Sequence, residues 1–297
     1  QYWSVYHRGM DSSNPENYHM YLNDTSARVD GSPSDWNDTA PTSTHFTVNG
    51  GEGRVNSNGQ TYVAYLFAHN DDDGGFGEPG DQDIIKCGSY TTDSNEDATI
   101  DLGFEPQFVL AKRTDSSTGG TWMLFDSMRG MQGNFLGQAA LLEANDTNSE
   151  ANVDRIVLTS TGFKVDNYGA NRSYIYIAIR RGGMQTPTTA SDVFAIDTAA
   201  GTSPSPPHFN SGFPVDFGFY RDVSSAADFY AGSRLSGGKF LRTNTDDAEQ
   251  ADSSVLFDYQ NGFYNASYTG ANIHAWMWKR ARGYFDVVTY TGTGSAR

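Results

Sequence analysis

The chain has 297 residues, a formal net charge of −16 and a single cysteine, Cys87. The acidic balance argues against nucleic acid and anionic membranes as partners, because phosphate groups are bound by clustered Lys and Arg. One cysteine excludes an internal disulfide framework, and no apolar run approaches the ~20 residues that span a bilayer. The negative charge favours solubility and is compatible with divalent cations or neutral glycans as binding partners.

Two types of strand-like segment repeat along the chain. One, rich in Tyr, Trp and Ile, occurs at residues 60–67, 173–180 and 272–279. The other contains Gly-Phe near its start, ends in Arg and occurs at residues 102–113 and 211–221. The first type recurs at intervals of roughly one hundred residues, which is the length of a domain and not of a solenoid repeat. We therefore expect an array of similar domains.

Nearly all secondary-structure signals are β. Residues 156–165 and 255–263 each combine an apolar run, turn residues and Gly-Phe, as a strand pair or a bulged strand does. Residues 137–145 are the best helical candidate, but the stretch is short and uncapped, so no helix is assigned. Regular strands separated by polar turns predict an all-β chain of tandem antiparallel β-sandwiches of the jelly-roll or concanavalin-like kind.

The repeats divide the chain into three units and the start of a fourth. The first unit, residues 1–83, lacks its opening strands and is expected to be incomplete on its N-terminal side. The second covers residues 84–191, and the third, which diverges more, covers residues 192–284. Residues 285–297 restart the pattern of the second unit's beginning and are predicted to be the first strand of a further repeat.

Four motifs carry a resemblance to a known domain. They are Gly103-Phe104-Glu105-Pro106 leading to Lys112-Arg113, the stretch from Trp122 to Gly130, Thr161-Gly162-Phe163-Lys164-Val165, and Asn58 to Tyr65. Together they resemble the repeated concanavalin-like β-sandwich domain of tail-fibre and appendage proteins of tailed bacteriophages. The third unit departs from this pattern, since it has no Trp at the position of Trp122. The resemblance implies a β-sandwich fold and a place on the virion surface, and it implies no enzymatic activity.

An acidic, glycine-rich stretch at residues 70–83 is the candidate metal site. Its candidate ligands are Asp71, Asp73, Glu78, Asp81 and Asp83. Oxygen ligands of this kind suit Ca²⁺, although the spacing does not match an EF-hand loop. The other interpretation is a solvated linker that stays extended through charge repulsion. Ca²⁺ is the one cofactor that the sequence suggests.

Two tryptophans are the candidate glycan-binding residues. Trp36 lies in a polar stretch, where an exposed Trp is unusual, and Trp122 lies in the second motif. Anchoring of a loop is the alternative role for both. Trp276 and Trp278 lie on one face of a predicted strand and could form a sugar-stacking platform. Because Ala275 and Met277 make the other face apolar as well, the pattern favours a core strand.

No catalytic motif is present in the sequence. The six histidines lack zinc-binding spacing, and there is neither a nucleophile elbow nor a phosphate loop. We expect a non-enzymatic segment of a phage tail fibre or similar appendage at the virion surface, which presents loops such as residues 32–44 and 114–120 to host-surface glycans. Expected partners are further copies of the chain, in a trimer for example, other virion proteins and host glycan. The alternatives are a glycan depolymerase and a structural spacer without a ligand.

Overall fold

The computed structural model describes residues 2–31, 33, 35–51, 53–69, 83–133, 139–182, 186–199, 206–267 and 272–289. Regular structure within these ranges consists of β-strands and three short 3₁₀ helices, at Pro15–Asn17, Ser127–Arg129 and Ala190–Asp192. The all-β prediction is confirmed. Among the described residues, no helix has the length and apolar character of a membrane span.

The strands form three groups along the chain. The N-terminal group is β1 Ser4–Val5, β2 Tyr18–Tyr21 and β3 Val29–Asp30. The first set of nine is β4 Ile85–Thr91, β5 Ala98–Asp101, β6 Pro106–Arg113, β7 Trp122–Asp126, β8 Ala139–Glu143, β9 Ala151–Val153, β10 Ile156–Thr159, β11 Gly162–Val165 and β12 Ser173–Arg180. The second set of nine is β13 Phe194–Thr198, β14 Phe209–Asn210, β15 Phe217–Asp222, β16 Tyr230–Ser233, β17 Lys239–Arg242, β18 Gln250–Ala251, β19 Val255–Tyr259, β20 Gly262–Asn265 and β21 Ile273–Trp278.

The two sets of nine strands have the same topology. The large sheets run β4-β12-β6-β7-β8-β9 and β13-β21-β15-β16-β17-β18, and the small sheets run β10-β11-β5 and β19-β20-β14. Counting strands from one to nine within each set gives the order 1-9-3-4-5-6 for both large sheets and 7-8-2 for both small ones. The repeat seen in the sequence is thus a repeat of a nine-stranded antiparallel sandwich.

In each sandwich the ninth strand lies between the first and the third. We call the first strand (β4 or β13) the opening strand and the ninth (β12 or β21) the closing strand. Ile177 of β12 is opposite Cys87 on one side and Leu110 on the other. Trp276 of β21 is opposite Ile196 and Phe219 in the same way.

The core of the second sandwich is built from aromatic side chains on alternate strand positions. Phe263 is fully buried, and its ring lies 4.7 Å from that of Phe209 and 5.0 Å from that of Phe257. Tyr220 and Met277 belong to the same cluster. Each such side chain contributes roughly 1.5–3 kcal/mol by burial, so this cluster is the main source of cohesion in the second sandwich.

The chain divides into two compact units. The first consists of residues 1–125, 141–151 and 165–181, and the second consists of residues 126–140, 152–164 and 182–297. The predicted unit boundaries stay predictions. One expectation was wrong: residues 60–67, predicted as the closing strand of the first unit, belong to no strand. A closing strand is held by a neighbour on each side, and no described strand pairs with these residues.

Candidate functional site

The outer face of the first large sheet is covered by the N-terminal segment. Met10 and Met20 pack with Trp122 and Ile175 in one buried cluster. The ammonium of Lys112, which is fully buried, donates to the carbonyls of Thr25 and Ser26 at 2.9 and 3.0 Å and also to the carbonyl of Gly120. This face is therefore closed to a ligand.

The outer face of the second large sheet is partly open along three neighbouring strands, β13, β21 and β15. The ring of Phe285 covers part of it, 5.8 Å from Phe217 and 6.5 Å from Trp278. In β21 the odd positions Ile273, Ala275 and Met277 are buried, whereas the alternate residues are half-buried and point to the other side. β15 shows the same alternation, with Gly218 and Tyr220 buried. Ile196 of β13 is 59% exposed. A strand that is buried on one face only leaves its second face available for contact.

The open face carries large apolar side chains in ordered rows across the strands. One row is Phe194, Trp278 and Phe217, and the next is Ile196, Trp276 and Phe219. We call these six residues the aromatic face. Its rings are in contact: Trp278 lies 5.0 Å from Phe194 and 5.6 Å from both Phe217 and Phe219. Neighbouring strands are about 4.8 Å apart and rows about 6.8 Å apart, so the surface can accommodate more than one ring-shaped ligand unit.

Polar groups lie at both ends of the aromatic face. At one end the guanidinium of Arg221 is 4.5 Å from the Phe229 ring, and Phe229 is 6.1 Å from Trp276. At the other end Arg280 donates to Asp286 at 2.7 Å. The combination of a flat apolar centre and charged ends suits a polyhydroxylated ring.

A buried ion pair positions one end of this face. The guanidinium of Arg234 lies 3.5 Å from Asp216, with both side chains under 4% exposed. The second oxygen of Asp216 accepts from the backbone N–H of Arg280 at 2.7 Å. Burial lowers the pKa of Arg234 to about 9, which leaves it charged near neutral pH. Asp216 thus links the start of β15 to the residues after β21.

The structure assigns Trp36 and Trp122 to packing. Trp122 is 4% exposed and its Nε1 donates to the Tyr21 carbonyl at 2.7 Å, while Trp36 is 9% exposed and its Nε1 donates to the Tyr18 carbonyl at 3.0 Å. Both rings therefore anchor the N-terminal segment, which was the alternative interpretation, and neither has a face free for a sugar. Our glycan-binding assignment of these two residues is corrected accordingly.

Most of the predicted calcium ligands lie outside the described residues. This holds for Asp71, Asp73, Glu78 and Asp81. Asp83 is described, and its backbone carbonyl accepts from Arg180 at 3.4 Å. Within the described ranges, no group of three or more His, Cys, Asp or Glu side chains is placed to hold a metal ion. Ca²⁺ binding by this stretch stays a prediction.

Candidate groups for catalysis are few among the described side chains. Burial raises the pKa of the Cys87 thiol to about 11, which makes it a poor nucleophile near neutral pH. A hydrogen bond with Asp166 raises the pKa of Asp97. This pair lies on the solvent side of the first sandwich and not on the aromatic face.

Sequence reasoning missed Phe217, Phe219 and Ile196, and it favoured a core position for Trp276 and Trp278. The signal was available: Phe217-Gly218-Phe219 has large residues on one face and glycine on the other, in the same alternation as Trp276 and Trp278. What the sequence did not reveal is that this face remains partly exposed, with Ile196 59% exposed and the Trp residues half-buried.

Comparison with known proteins identifies a family but no characterised relative. No curated protein and no solved structure matches the chain. A family model described as a domain of unknown function (DUF7483) matches residues 1–181, which is more than half of the chain. The chain therefore belongs to the DUF7483 family.

Proposed function

We propose that this chain is a structural and adhesive segment of a surface appendage such as a phage tail fibre, and that it contacts host-surface glycan through the aromatic face. The observation that carries the proposal is the half-buried array of Phe217, Phe219, Trp276 and Trp278 on one side of the sheet, next to the exposed Ile196. Soluble proteins keep exposed apolar patches small unless they contact a partner there.

The chemistry of the aromatic face favours a saccharide as that partner. The faces of Trp and Phe rings present a negative π-surface that attracts the slightly positive C–H face of a pyranose. Hydroxyl groups at the rim of the sugar would meet Arg221 at one end and Arg280 and Asp286 at the other, where charged hydrogen bonds fix orientation. Because the chain carries a net charge of −16, it should bind neutral or cationic glycans in preference to anionic ones.

An appendage that contains several copies of the chain would display the aromatic face several times. A single aromatic contact binds weakly, whereas several copies on one appendage bind a cell surface with high avidity. The copies that such binding needs are copies of the whole chain, since the corresponding face of the first sandwich is covered.

The test is a glycan array probed with the 297-residue chain and with two variants. Trp278→Ala removes the residue at the centre of the aromatic face and is expected to abolish detectable binding. Phe46→Ala is the matched control, because Phe46 is a partly exposed aromatic residue (38%) of the first unit's loops. Loss of binding with Phe46→Ala and not with Trp278→Ala would move the contact to those loops.

An enzyme is the second candidate function, and the hydrogen bond between the carboxyl groups of Asp97 and Asp166 is the observation that favours it. Glycoside hydrolysis uses two carboxyl groups with different pKa values. Release of reducing ends from a bound glycan, abolished by Asp166→Asn, would assign the chain to the depolymerases. Binding without release supports the adhesive role.

A further inference from the structure

The outward-facing residues of the two large sheets can be matched position by position. In the first sandwich the Arg180 amide, at the end of the closing strand, donates to the Ile84 carbonyl at 2.7 Å. In the second sandwich the Lys279 amide donates to the Val193 carbonyl at 2.9 Å in the same place. These two hydrogen bonds align the closing strands, and the strand pairing then aligns β6 with β15.

Three positions that are aliphatic on the covered first face are aromatic on the second. Where the N-terminal segment packs on the first sheet, the face presents branched aliphatic side chains to a polypeptide. The second face presents aromatic rings instead, and the faces of such rings attract the C–H groups of a sugar. This difference favours a saccharide over a peptide as the occupant of the aromatic face. The matched pairs are Leu110 and Phe219, Ile177 and Trp276, and Ile179 and Trp278.

A fourth matched position is cationic in both sheets. Lys112 of β6 and Arg221 of β15 occupy the same place in the alignment. In the first sheet the Lys112 ammonium binds main-chain amides, because it donates to the carbonyls of Thr25 and Ser26 at 2.9 and 3.0 Å. The first sandwich therefore shows which group a cation at this position binds, namely the carbonyl oxygen of an amide.

Arg221 retains hydrogen-bond donors for such a group. Its Nε donates to the Asp222 carbonyl at 3.1 Å, and its Nη2 donates to the Ser225 carbonyl at 3.4 Å. A guanidinium has five N–H donors, so these bonds within the described part of the chain leave three for a ligand. The Arg221 side chain is half-buried, and its guanidinium lies 4.5 Å from the Phe229 ring. An apolar surface thus adjoins the donors.

We propose that the glycan on the aromatic face is an N-acetylated sugar whose acetamido carbonyl accepts a hydrogen bond from Arg221. The inference rests on the proposed function and names the class of sugar that the face selects. Arg221 is two residues beyond Phe219 on β15, about 6.8 Å along the strand, so a substituent of a pyranose stacked on Phe219 and Trp276 can reach it. The acetamido methyl group then contacts the Phe229 ring. An N-acetylhexosamine is also uncharged, which suits a chain of net charge −16.

Calorimetric titration with two tetrasaccharides tests the inference. One is a tetramer of N-acetylglucosamine, and the other is a tetramer of glucose with the same linkage, so the two differ only in the acetamido group. We expect the wild type to bind the acetylated tetramer about tenfold more tightly, because only this tetramer offers a carbonyl acceptor to the guanidinium. On the glycan array, the sugars that the chain retains should carry acetamido groups.

Three variants test whether Arg221 is the source of this preference. Arg221→Met should abolish it, so that the two tetramers bind with equal affinity. Arg221→Lys, which introduces the side-chain type of Lys112, should retain the preference for the acetylated tetramer. Lys164→Met is the matched control, since it removes one positive charge from an exposed position on β11 and should leave the preference intact. Equal melting temperatures of the wild type and the variants show that the sandwiches remain folded.

The outcomes separate this inference from the proposed function. Equal affinity of the wild type for both tetramers, or a preference that Arg221→Met leaves unchanged, overturns the acetamido contact but not the glycan-binding face. The same holds if the sugars retained on the array lack acetamido groups. If no sugar binds, both proposals are wrong. Binding of a peptide of residues 17–30 in place of any sugar would assign the face to a polypeptide and would also overturn the inference.

Discussion

Lys112 is the side chain whose removal should have the clearest structural consequence. Its ammonium group is fully buried and donates three hydrogen bonds, to the carbonyls of Thr25, Ser26 and Gly120. Burial lowers the pKa of Lys112 to about 8, so the group is mostly charged near neutral pH. We expect Lys112→Met to destabilise the attachment of the N-terminal segment to the sheet.

The magnitude follows from what the substitution leaves behind. Each buried carbonyl that loses its donor costs about 1–3 kcal/mol, which gives roughly 3–9 kcal/mol for three. Two effects offset part of this cost: the methionine buries additional apolar surface, worth about 1.5–3 kcal/mol, and the desolvation of a charged group is no longer required. We therefore expect a loss of about 2–4 kcal/mol in the free energy of unfolding.

Urea denaturation measures the loss, and hydrogen exchange locates it. The amide of Arg28, which donates to the Thr114 carbonyl at 3.0 Å, should exchange faster in the variant. Lys164→Met is the matched control, because Lys164 is exposed on β11 and such surface changes stay within about 0.5 kcal/mol. An unfolding free energy and an Arg28 exchange rate both equal to those of the wild type would refute the role assigned to Lys112.

Three further changes test other parts of the fold. His7 is a half-buried neutral histidine whose Nε2–H donates to the Tyr176 carbonyl at 2.9 Å and whose Nδ1 accepts from the Gly9 amide; desolvation of the ring lowers its pKa from 6.5 to about 4. Above pH 6.5 His7 is neutral in both the folded and the unfolded state, so its contribution to the free energy of unfolding is complete. Between pH 6.5 and pH 4 the unfolded state binds a proton at His7 before the folded state does, so the free energy of unfolding falls by up to about 3 kcal/mol. His7→Gln should flatten this pH dependence in thermal melts. Phe263→Ala should cost about 3–5 kcal/mol in denaturation experiments, since it empties the centre of the second core; a cost below 1 kcal/mol contradicts that placement. Arg234→Met should cost about 3–5 kcal/mol, because it leaves the Asp216 carboxylate buried without the positive charge of Arg234. The double variant Arg234→Met/Asp216→Asn should be more stable than Arg234→Met alone. Equal stabilities of these two variants would argue against the ion pair.

Local sequence patterns were sufficient for the strands but not for their surroundings. The Ile-Val-Leu-Thr run followed by Thr-Gly-Phe-Lys-Val was expected to be a strand pair or a bulged strand, and it forms the strand pair β10 and β11. The helix-favouring stretch Ala139–Glu143 is strand β8, because burial between neighbouring strands outweighs the small helix preference of Ala, Leu and Glu.

The prediction of the candidate site failed where burial is decided by distant residues. Trp122 and Trp278 both lie in aromatic strand segments, and nothing within either segment distinguishes them. Trp122 is buried because Met10 and Met20, about a hundred residues earlier in the chain, cover its sheet. No described segment covers most of the corresponding face around Trp278 and Ile196. Exposure of an aromatic residue is therefore a property of the tertiary fold and cannot be inferred from its neighbours in the sequence.

The most direct test of the proposed adhesive function is attachment of fluorescently labelled chain to host cells, measured with wild type and with Trp278→Ala. We predict saturable attachment of the wild type that free saccharide from the host surface competes away, and at least tenfold weaker attachment of the variant at unchanged melting temperature. Equal attachment of both proteins, or attachment that no saccharide reduces, would contradict the assignment of the aromatic face as a glycan-binding surface.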